Sequence, residues 1–452
     1  MKVTFYGATG TVTGSKYLVE TNDSKLLIDC GLFQGYKNLR QRNWKPFPFD
    51  PKSIDAVLLT HAHLDHSGMI PLLYKEGFKG PVYSTYATYE LCKLLLPDSG
   101  HLQEEEAKFR NKHGLTKHKV AEPLYDLKTA QESLSLIKPL AFEQLLTIND
   151  ANIKFNPAGH ILGAATIRVE SENKSIVFTG DLGRPNDLVM YPAKILPPSD
   201  YLVIESTYGN RLHDKHDPEM TIENIVNQTV GRGGSVLIPS FAVGRSQSIM
   251  FVLSQLMKAK RIPSVPIYLD SPMAINASDI YCDFSIEHRL NTNECNQMCD
   301  HVTYTRSVDE SKAIANSNFP KIIISASGMA TGGRVLHHLK RMVSDYRNSV
   351  VFAGYQAGGT RGQKLLQGKS SIRIFGEEIE VKASISKIPG FSAHADYSEM
   401  IDLLKQSTGF QPKKVFVVHG EVDAADEFRI HLEDEFNWNV CIPEYKDSFD
   451  LI

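Results

Sequence analysis

The sequence lacks most features that would assign a chain to a specialised class. Its six cysteines are scattered over 452 residues, and the close pair Cys295 and Cys299 has no second pair at zinc-finger spacing. Reduced thiols in a reducing compartment are therefore expected. No apolar run reaches the roughly 18 residues needed to span a bilayer, and the start, MKVTFYGATG, lacks a signal peptide's apolar core. These absences favour a cytoplasmic protein with no membrane partner.

An excess of one charge is missing too. Lysine and arginine number 49 against 52 aspartates and glutamates, for a formal net charge of -3, so any site for a polyanion must be local. The 42% of hydrophobic and 22% of charged residues are ordinary for a globular protein. At 452 residues the chain is too long for one core of ordinary size, so two or more domains are expected.

The pattern of predicted elements changes twice along the chain. Short apolar strands occupy the first 60 residues, helices follow over about 85–135, and strands return over 151–205. From about residue 209, strands alternate with helices, as in a parallel α/β layer, and short strands such as EVKASISKI return after about 379. We therefore predict a first domain in two parts, 1–207 and 379–452, with an inserted α/β domain over 208–378.

The densest cluster of candidate metal ligands is HAHLDH, which follows the apolar run AVLLT. It places His61, His63, Asp65 and His66 within six positions, and imidazole with carboxylate suits zinc or a similar ion. Alternation along a strand would let His61 and His63 bind one ion, while the other two residues lie past a turn and can face a second. Two ions need more ligands, and the candidates after later apolar strands are His160, Asp181 and His419.

Together these residues resemble the metallo-β-lactamase fold, an αββα sandwich with a two-metal site at the sheet edges. The resemblance implies two Zn²⁺ per chain, one bound by His61, His63 and His160, the other by Asp65, His66 and His419, with Asp181 bridging. It makes Asp65 and Asp181 catalytic residues as well as ligands, and gives Asp29, at the end of LLIDCG, the role of orienting a histidine ligand. A hydroxide held between two ions would be the nucleophile.

Further motifs resemble the β-CASP branch of nucleic-acid nucleases over nearly the whole chain. IESTYGNR contains Glu205, GFSAHADY contains His394, and the inserted α/β domain lies between them. The resemblance implies that His394, held by Glu205, protonates the leaving oxygen of a single-stranded RNA substrate. Glycine-rich turns in the inserted domain offer phosphate-binding candidates, namely Arg245, Ser327, Arg334 and Arg361.

The leading expectation is an endoribonuclease, and the chain resembles the short bacterial form without a KH segment. The alternatives are a small-molecule hydrolase such as a lactonase or thioesterase, a 5′-exoribonuclease, a non-catalytic RNA-binding scaffold and a DNA nuclease. The inserted domain and His394 disfavour the first, and a ribonuclease J phosphate-pocket motif is not evident. The full set of ligands disfavours the scaffold, and His419 favours RNA over DNA. A homodimer is the further partner considered.

Overall fold

A computed structural model describes residues 1–114, 120–214, 217–354, 356, 358–388 and 390–452. Its strands, in chain order, are β1 (Lys2–Phe5), β2 (Tyr17–Glu20), β3 (Lys25–Ile28), β4 (Ala56–Leu58), β5 (Val82–Thr85), β6 (Ile137–Leu140), β7 (Leu146–Ile148), β8 (Ala151–Pro157), β9 (Ala165–Ser171), β10 (Lys174–Phe178), β11 (Tyr201–Glu205), β12 (Val236–Pro239), β13 (Ile267–Leu269), β14 (Thr303–Tyr304), β15 (Ile322–Ser325), β16 (Ser349–Ala353), β17 (Ser371–Ile374), β18 (Glu377–Glu380), β19 (Ser384–Ile388), β20 (Lys414–Val418), β21 (Val440–Cys441) and β22 (Ser448–Asp450).

The chain also forms fourteen α-helices within the described residues. They are α1 (Lys37–Arg40), α2 (Leu64–Ser67), α3 (Ile70–Lys75), α4 (Tyr86–Lys112), α5 (Leu127–Ser133), α6 (Pro218–Gly231), α7 (Arg245–Lys258), α8 (Pro272–Asp283), α9 (Thr292–Asp300), α10 (Val308–Asn316), α11 (Val335–Met342), α12 (Arg361–Leu366), α13 (Tyr397–Gln406) and α14 (Val422–Phe436). None of them, within the described ranges, is long and apolar enough to cross a lipid bilayer.

The chain divides into two compact units. The first comprises Met1–Leu212 and His394–Ile452, and the second comprises His213–Ala393. The predicted inserted domain, 208–378, begins close to the start of the second unit, and the predicted domain bounds stay a prediction. The stretch EVKASISKI contains β19, which pairs in parallel with β16 of the second unit over Ser349–Ala353 and Ser384–Ile388. Sequence pattern cannot reveal which sheet an apolar strand joins.

The first unit is built on two seven-stranded sheets, with strand orders β22-β1-β2-β3-β4-β5-β6 and β21-β20-β11-β10-β9-β8-β7. Alternating apolar residues of both sheets form one buried cluster between them. Within it, Phe5 of β1 lies 5.1 Å from Phe416 of β20, and Tyr17 of β2 stacks on Phe178 of β10 at 5.8 Å between ring centroids. Helices α13 and α14 cover the other face of the second sheet. This arrangement is the predicted αββα sandwich.

The second unit contains a six-stranded sheet of order β14-β13-β15-β12-β16-β19. Its strand pairs are parallel throughout. Parallel sheets are buried on both faces, which explains fully buried strands such as Ile322–Ser325. The hairpin of β17 and β18 adds a small separate sheet. The predicted α/β layer is therefore present.

Candidate metal centre

The predicted metal-binding residues gather at one end of the sandwich of the first unit. The loop after β4 carries His61 and His63, and the short helix α2 carries Asp65 and His66. The strand β4 already ends at Leu58, so strand alternation does not position the two histidines as predicted. A loop does so, with His63 as the residue that precedes the helix.

The remaining candidate metal-binding residues follow three other strands of the same unit. His160 lies in the turn between β8 and β9, Asp181 lies three residues after β10, and His419 directly follows β20. Gly180, just before Asp181, has a φ of +54°, and a Cβ there would lie 2.8 Å from the Cβ of Thr60. Glycine is therefore required where the chain turns to present Asp181.

The donor atoms form two groups, each with its atoms within 4.8 Å of one another. One group is His61, His63, His160 and Asp181, and the other is Asp65, His66 and His419. In the first, Nδ1 of His63 lies 3.2 Å from Nε2 of His61 and 3.3 Å from Nε2 of His160. In the second, Nε2 of His66 lies 3.2 Å from Nε2 of His419. Two nitrogens on one tetrahedral zinc, at ordinary Zn–N lengths, would be about 3.3 Å apart.

Asp181 joins the two groups through different carboxylate oxygens. Its Oδ2 lies 3.4 Å from Nε2 of His61 and 3.6 Å from Nε2 of His160. Its Oδ1 lies 3.3 Å from Nε2 of His66 and 3.4 Å from Nδ1 of His419. The two oxygens of Asp181 therefore face different donor groups.

A buried hydrogen-bond network holds the histidines in place. Asp29 accepts from the backbone N–H and the hydroxyl of Thr60 at 2.8 and 2.9 Å. Its Oδ2 lies 2.7 Å from Nδ1 of His66, so Nε2 of that ring faces the donor group. A carboxylate that accepts a hydrogen bond from one ring nitrogen of a histidine leaves the other nitrogen to face a metal.

Three residues of this network were not predicted from the sequence. Thr60 also lies 3.1 Å from Nδ1 of His61, and Thr207 has its Oγ1 3.1 Å from Nδ1 of His419. Lys16 donates from Nζ to the carbonyl oxygens of Gly14 and Gly31. Thr60 could have been predicted because it directly precedes HAHLDH in the sequence. Thr207 and Lys16 could not, because only tertiary packing brings them to this region.

Tight backbone packing sets the position of the HAHLDH segment. A Cβ on Gly31 would lie 1.5 Å from the carbonyl oxygen of Asp65, so only glycine fits there. The N–H of Cys30 donates to the carbonyl of His66 at 2.7 Å, and the N–H of Leu32 to that of Leu64 at 2.8 Å. The chain after Asp29 therefore supports the segment that carries Asp65 and His66.

The electrostatics of the cluster suit a cation. Burial, reinforced by the neighbouring His66, holds the pKa of His61 well below its usual range, and burial lowers the pKa of His63 to about 4. Both rings are therefore neutral at ordinary pH, as metal ligation requires. Burial also opposes protonation of His66, but Asp181 and Asp29 outweigh it and raise its pKa well above the usual value. The negative charge that favours a proton there equally favours a metal ion.

His394 and Glu205 lie beside this cluster. Nδ1 of His394 is 3.1 Å from both carboxylate oxygens of Glu205 and 4.0 Å from Oδ2 of Asp181. Burial opposes protonation of His394, but the charge and hydrogen bond of Glu205 prevail and raise its pKa to about 9. The N–H of Leu182 donates to Oε1 of Glu205 at 2.6 Å and fixes the carboxylate. The pair predicted from distant motifs is thus in direct contact.

The four predicted phosphate-binding residues lie in the second unit. Arg334 donates to the buried carboxylate of Asp270 at 2.7 Å and to the carbonyls of Thr305 and Arg306. Arg361 donates to the carbonyl of Arg373 at 2.8 Å. Both guanidinium groups therefore hold the unit together, and a phosphate-binding role for them stays a prediction.

The other two candidates, Arg245 and Ser327, also lie in the second unit. Arg245 begins α7, with its guanidinium 5.8 Å from the ring centroid of Phe391. The hydroxyl of Ser327 lies 3.1 Å from that of Thr331 and accepts from its N–H. Part of the glycine-rich turn GYQAGGTRG, at residues 355 and 357, lies outside the described residues. Phosphate binding at Arg245 and Ser327 also stays a prediction.

Comparison with known families accounts for most of the chain. Residues 9–218 match the metallo-beta-lactamase superfamily, 246–365 match the Beta-Casp domain, and 378–443 match the Zn-dependent metallo-hydrolase RNA specificity domain. A solved structure of a protein of unknown function from Enterococcus faecalis shares the fold, with a TM-score of 0.53 at 14% identity over 100% of this chain and 99% of that one.

Curated relatives match over almost the whole length. Ribonuclease TTHA0252 of Thermus thermophilus is 37% identical over 429 residues, 93% of each chain. An RNase J-like protein of Methanocaldococcus jannaschii is 33% identical over 92% of each chain. The transcription termination factor FttA of Methanosarcina mazei is 33% identical over 94% of this chain and 67% of its own.

The sandwich and its paired donor groups define a metal-dependent hydrolase of the metallo-β-lactamase superfamily. Within that class, the inserted domain and the similarity to full-length relatives decide the branch. The chain belongs to the β-CASP family. The resemblance inferred from the sequence motifs is therefore confirmed.

Proposed function

We propose that this protein is a ribonuclease with two zinc ions that cuts single-stranded RNA internally. The observation that carries the proposal is the pair Glu205 and His394, whose donor atoms share a 4.8 Å group with Asp181. Hydrolysis of a small ester by this fold needs no such acid beside the metal ligands. Similarity to a protein named ribonuclease, over 93% of both chains, supports RNA as the substrate.

The residues present fit two zinc ions. Five imidazoles and two carboxylates form the two donor groups, and nitrogen with carboxylate oxygen is a common zinc ligand set. His61, His63 and His160 would hold one ion, and Asp65, His66 and His419 the other. Asp181 would serve both, since its two oxygens lie near different groups.

When bound, two zinc ions supply a hydroxide nucleophile at ordinary pH and neutralise charge on the phosphoryl group. The protein's own residues prepare this chemistry. Asp29 fixes the ring of His66 through Nδ1, and burial keeps His61 and His63 neutral. The buried Asp181 and the partly buried Asp65 would provide the negative charge that retains the cations.

The departing oxygen of the cleaved RNA needs a proton, and His394 is the group that would provide it. Glu205 holds Nδ1 of the ring, so Nε2 is the nitrogen that would carry the proton to the substrate. The high pKa that Glu205 gives His394 keeps a proton on the ring near neutral pH. Nearby divalent cations lower such a pKa, toward the value that suits a general acid.

The test uses zinc-loaded protein and single-stranded RNA labelled at the 5′ end in one sample and at the 3′ end in another. Internal cutting yields labelled fragments of intermediate length from both RNAs at early times. Release of labelled mononucleotide from the 5′ label alone would instead support the alternative of a 5′-exoribonuclease.

Two controls distinguish the remaining alternatives. The same sequence as single-stranded DNA tests RNA selectivity, and a nitrophenyl ester or lactone tests small-molecule hydrolysis. Turnover of the ester with no cleavage of RNA would overturn the proposal. Zinc measured by elemental analysis should approach two ions per chain. A homodimer and a cytoplasmic location stay predictions, which size-exclusion chromatography and cell fractionation would test.

A further inference from the structure

One surface segment of the first unit has a composition that the metal centre does not explain. Residues 36–49, YKNLRQRNWKPFPF, here called the aromatic-basic segment, contain no acidic residue. They form the short helix α1, a 3-10 helix over Gln41–Trp44 and an extended tail. Its charged and aromatic residues are Lys37, Arg40, Arg42 and Lys45 with Tyr36, Trp44, Phe47 and Phe49.

Two of its aromatic side chains are held in solvent. Tyr36 is 55% exposed and Trp44 is 61% exposed. Trp44 is one of the two tryptophans in the chain, and tryptophan side chains are usually well buried. Folding gains little from either ring in this position, and exposed apolar groups that occur together on one surface are a feature of interaction sites.

The cations beside these rings are exposed as well. Lys37, Arg40 and Lys45 make no ion pair with any carboxylate in the described part of the chain. Elsewhere in the same unit, Lys93 and Lys108 each pair with a glutamate three residues earlier, at 2.6 and 2.9 Å. The segment therefore presents positive charge that the protein does not neutralise itself.

The segment is anchored to the loop that supports the metal ligands. The side chain of Asn43 accepts from the N–H of Phe33 at 2.9 Å and donates to its carbonyl at 2.8 Å. Arg42 packs its guanidinium 5.4 Å from the ring centroid of Phe33 and 4.8 Å from that of Tyr445. Phe33 follows Gly31, which touches the backbone of Asp65.

This anchoring limits the distance to the metal centre. Tyr36 lies five positions after Gly31 in the sequence, and a chain of that length spans at most about 18 Å. Asn43, adjacent to Trp44, is fixed to Phe33 by two hydrogen bonds. A flexible strand of nucleic acid held at the metals can therefore reach both exposed rings.

We propose that the aromatic-basic segment binds the single-stranded RNA substrate outside the metal centre. Unpaired bases stack on Tyr36 and Trp44, while Lys37, Arg40 and Lys45 contact phosphates. Exposed aromatics interleaved with unpaired cations are the combination that binds single strands without sequence preference. A duplex hides its base faces and gains only the charge contacts. The inference rests on the proposed ribonuclease function.

The test measures binding of a labelled single-stranded RNA of about 20 nucleotides, a length within reach of both sites, to zinc-loaded protein carrying His394→Ala to prevent cleavage. Adding Tyr36→Ala with Trp44→Ala should weaken binding by about fivefold or more, because each lost stack is replaced by water. Tyr36→Phe with Trp44→Phe keeps the rings and should restore affinity.

The charges are tested through salt dependence. Lys37→Gln, Arg40→Gln and Lys45→Gln together should lower the slope of log affinity against log salt by about 2, since each phosphate contact on a single strand contributes about 0.7. With His394 intact, the same changes should raise KM for RNA while kcat is retained. The matched control is the double variant Phe109→Ala with Lys128→Gln, which changes exposed residues of α4 and α5. It should change neither the salt dependence of RNA binding nor the KM for RNA.

Outcomes for the two proposals can be told apart. If the parent cuts RNA and the ring and charge variants bind it with parental affinity and salt slope, the segment is not a binding surface. If Tyr36→Ala with Trp44→Ala weakens binding of duplex RNA, or of an acidic polypeptide, as much as binding of single-stranded RNA, stacking of single-stranded bases is wrong. If the parent neither binds nor cuts single-stranded RNA, both the segment's role and the ribonuclease function are overturned.

Discussion

Asp181 of the first unit and Asp270 of the second are both buried carboxylates that follow a strand, but they are partnered differently. Asp270 accepts hydrogen bonds from Ser311 at 2.5 Å, His338 at 2.6 Å and Arg334 at 2.7 Å. No hydrogen bond of good geometry reaches Oδ1 of Asp181 among the described residues, although two imidazole nitrogens lie 3.3 and 3.4 Å away.

The comparison separates a structural carboxylate from a proposed metal ligand. Around Asp270 the donors point at the oxygens, so its charge is already neutralised by Arg334 and the site is complete. Around Asp181 the imidazoles face a common space, with nitrogen spacings that suit a metal rather than hydrogen bonds. A buried aspartate at the end of a strand is therefore not enough to indicate a metal site. The orientation of the neighbouring donor groups distinguishes a metal site from a structural hydrogen-bond network.

Among variants that test the difference between Asp181 and Asp270, Asp181→Ala should have the largest effect on metal content and activity. Losing the carboxylate that serves both donor groups should remove metal and lower RNA cleavage by more than about 100-fold. Zinc analysis and an RNA cleavage assay measure the two losses. The matched variant Asp270→Ala should retain parental zinc content. Equal zinc loss in both variants would contradict the distinction between the two carboxylates.

A smaller loss of activity, without loss of metal, is expected from His394→Ala. Removing a general acid should lower kcat by about 10²–10⁴-fold, while both ions stay bound because His394 is not among the proposed ligands. Glu205→Gln should lower kcat in the same direction, since Nδ1 of His394 loses its charged acceptor. Single-turnover cleavage with zinc analysis is the measurement. Parental cleavage by His394→Ala would rule out the general-acid assignment.

Asp270→Ala should act on stability rather than on metal. Removal of the carboxylate leaves Arg334 and His338 without their buried partner and should destabilise the second unit by about 3–5 kcal/mol. Urea unfolding followed by circular dichroism would detect it. Asp270→Asn keeps the size and part of the hydrogen bonding, so a smaller loss is expected. A parental unfolding midpoint for Asp270→Ala would show that the network is dispensable.

The smallest expected effect concerns Lys16, a buried cation held by carbonyl oxygens. Burial lowers its pKa from 10.5 to about 8, despite opposing contributions from Cys30 and Asp29. Between these values the unfolded chain binds more protons, so the charge costs stability at neutral pH and the cost is relieved as pH rises from about 8 toward 10.5. The gain is at most about 3 kcal/mol.

Lys16→Met isolates that contribution, because every other group titrates equally in parent and variant. The difference in unfolding free energy between the two proteins should shift in favour of the parent across this alkaline range. A difference independent of pH would show that Lys16 keeps its proton in the folded state.

Much of the centre was predictable because its ligands follow apolar strands or lie in one dense motif. His61, His63, Asp65 and His66 are adjacent in sequence, and His160, Asp181 and His419 each end a strand-like run. The contact of Glu205 with His394 was inferred from family resemblance, since 189 positions separate them. The pairing of β19 with β16 could not be predicted, because the sequence of an apolar strand does not show which strand lies beside it.

The sequence by itself determined the class of chemistry, since a cluster of imidazoles and carboxylates in HAHLDH can be recognised without coordinates. It also determined the order of sandwich, inserted α/β layer and returning segment. Only the tertiary structure decided which oxygen of Asp181 faces which donor group, and that Arg334 is occupied by Asp270. It also placed Tyr36 and Trp44 in solvent. Orientation depends on contacts between residues far apart in the chain, and those contacts exist only once the sheets have packed.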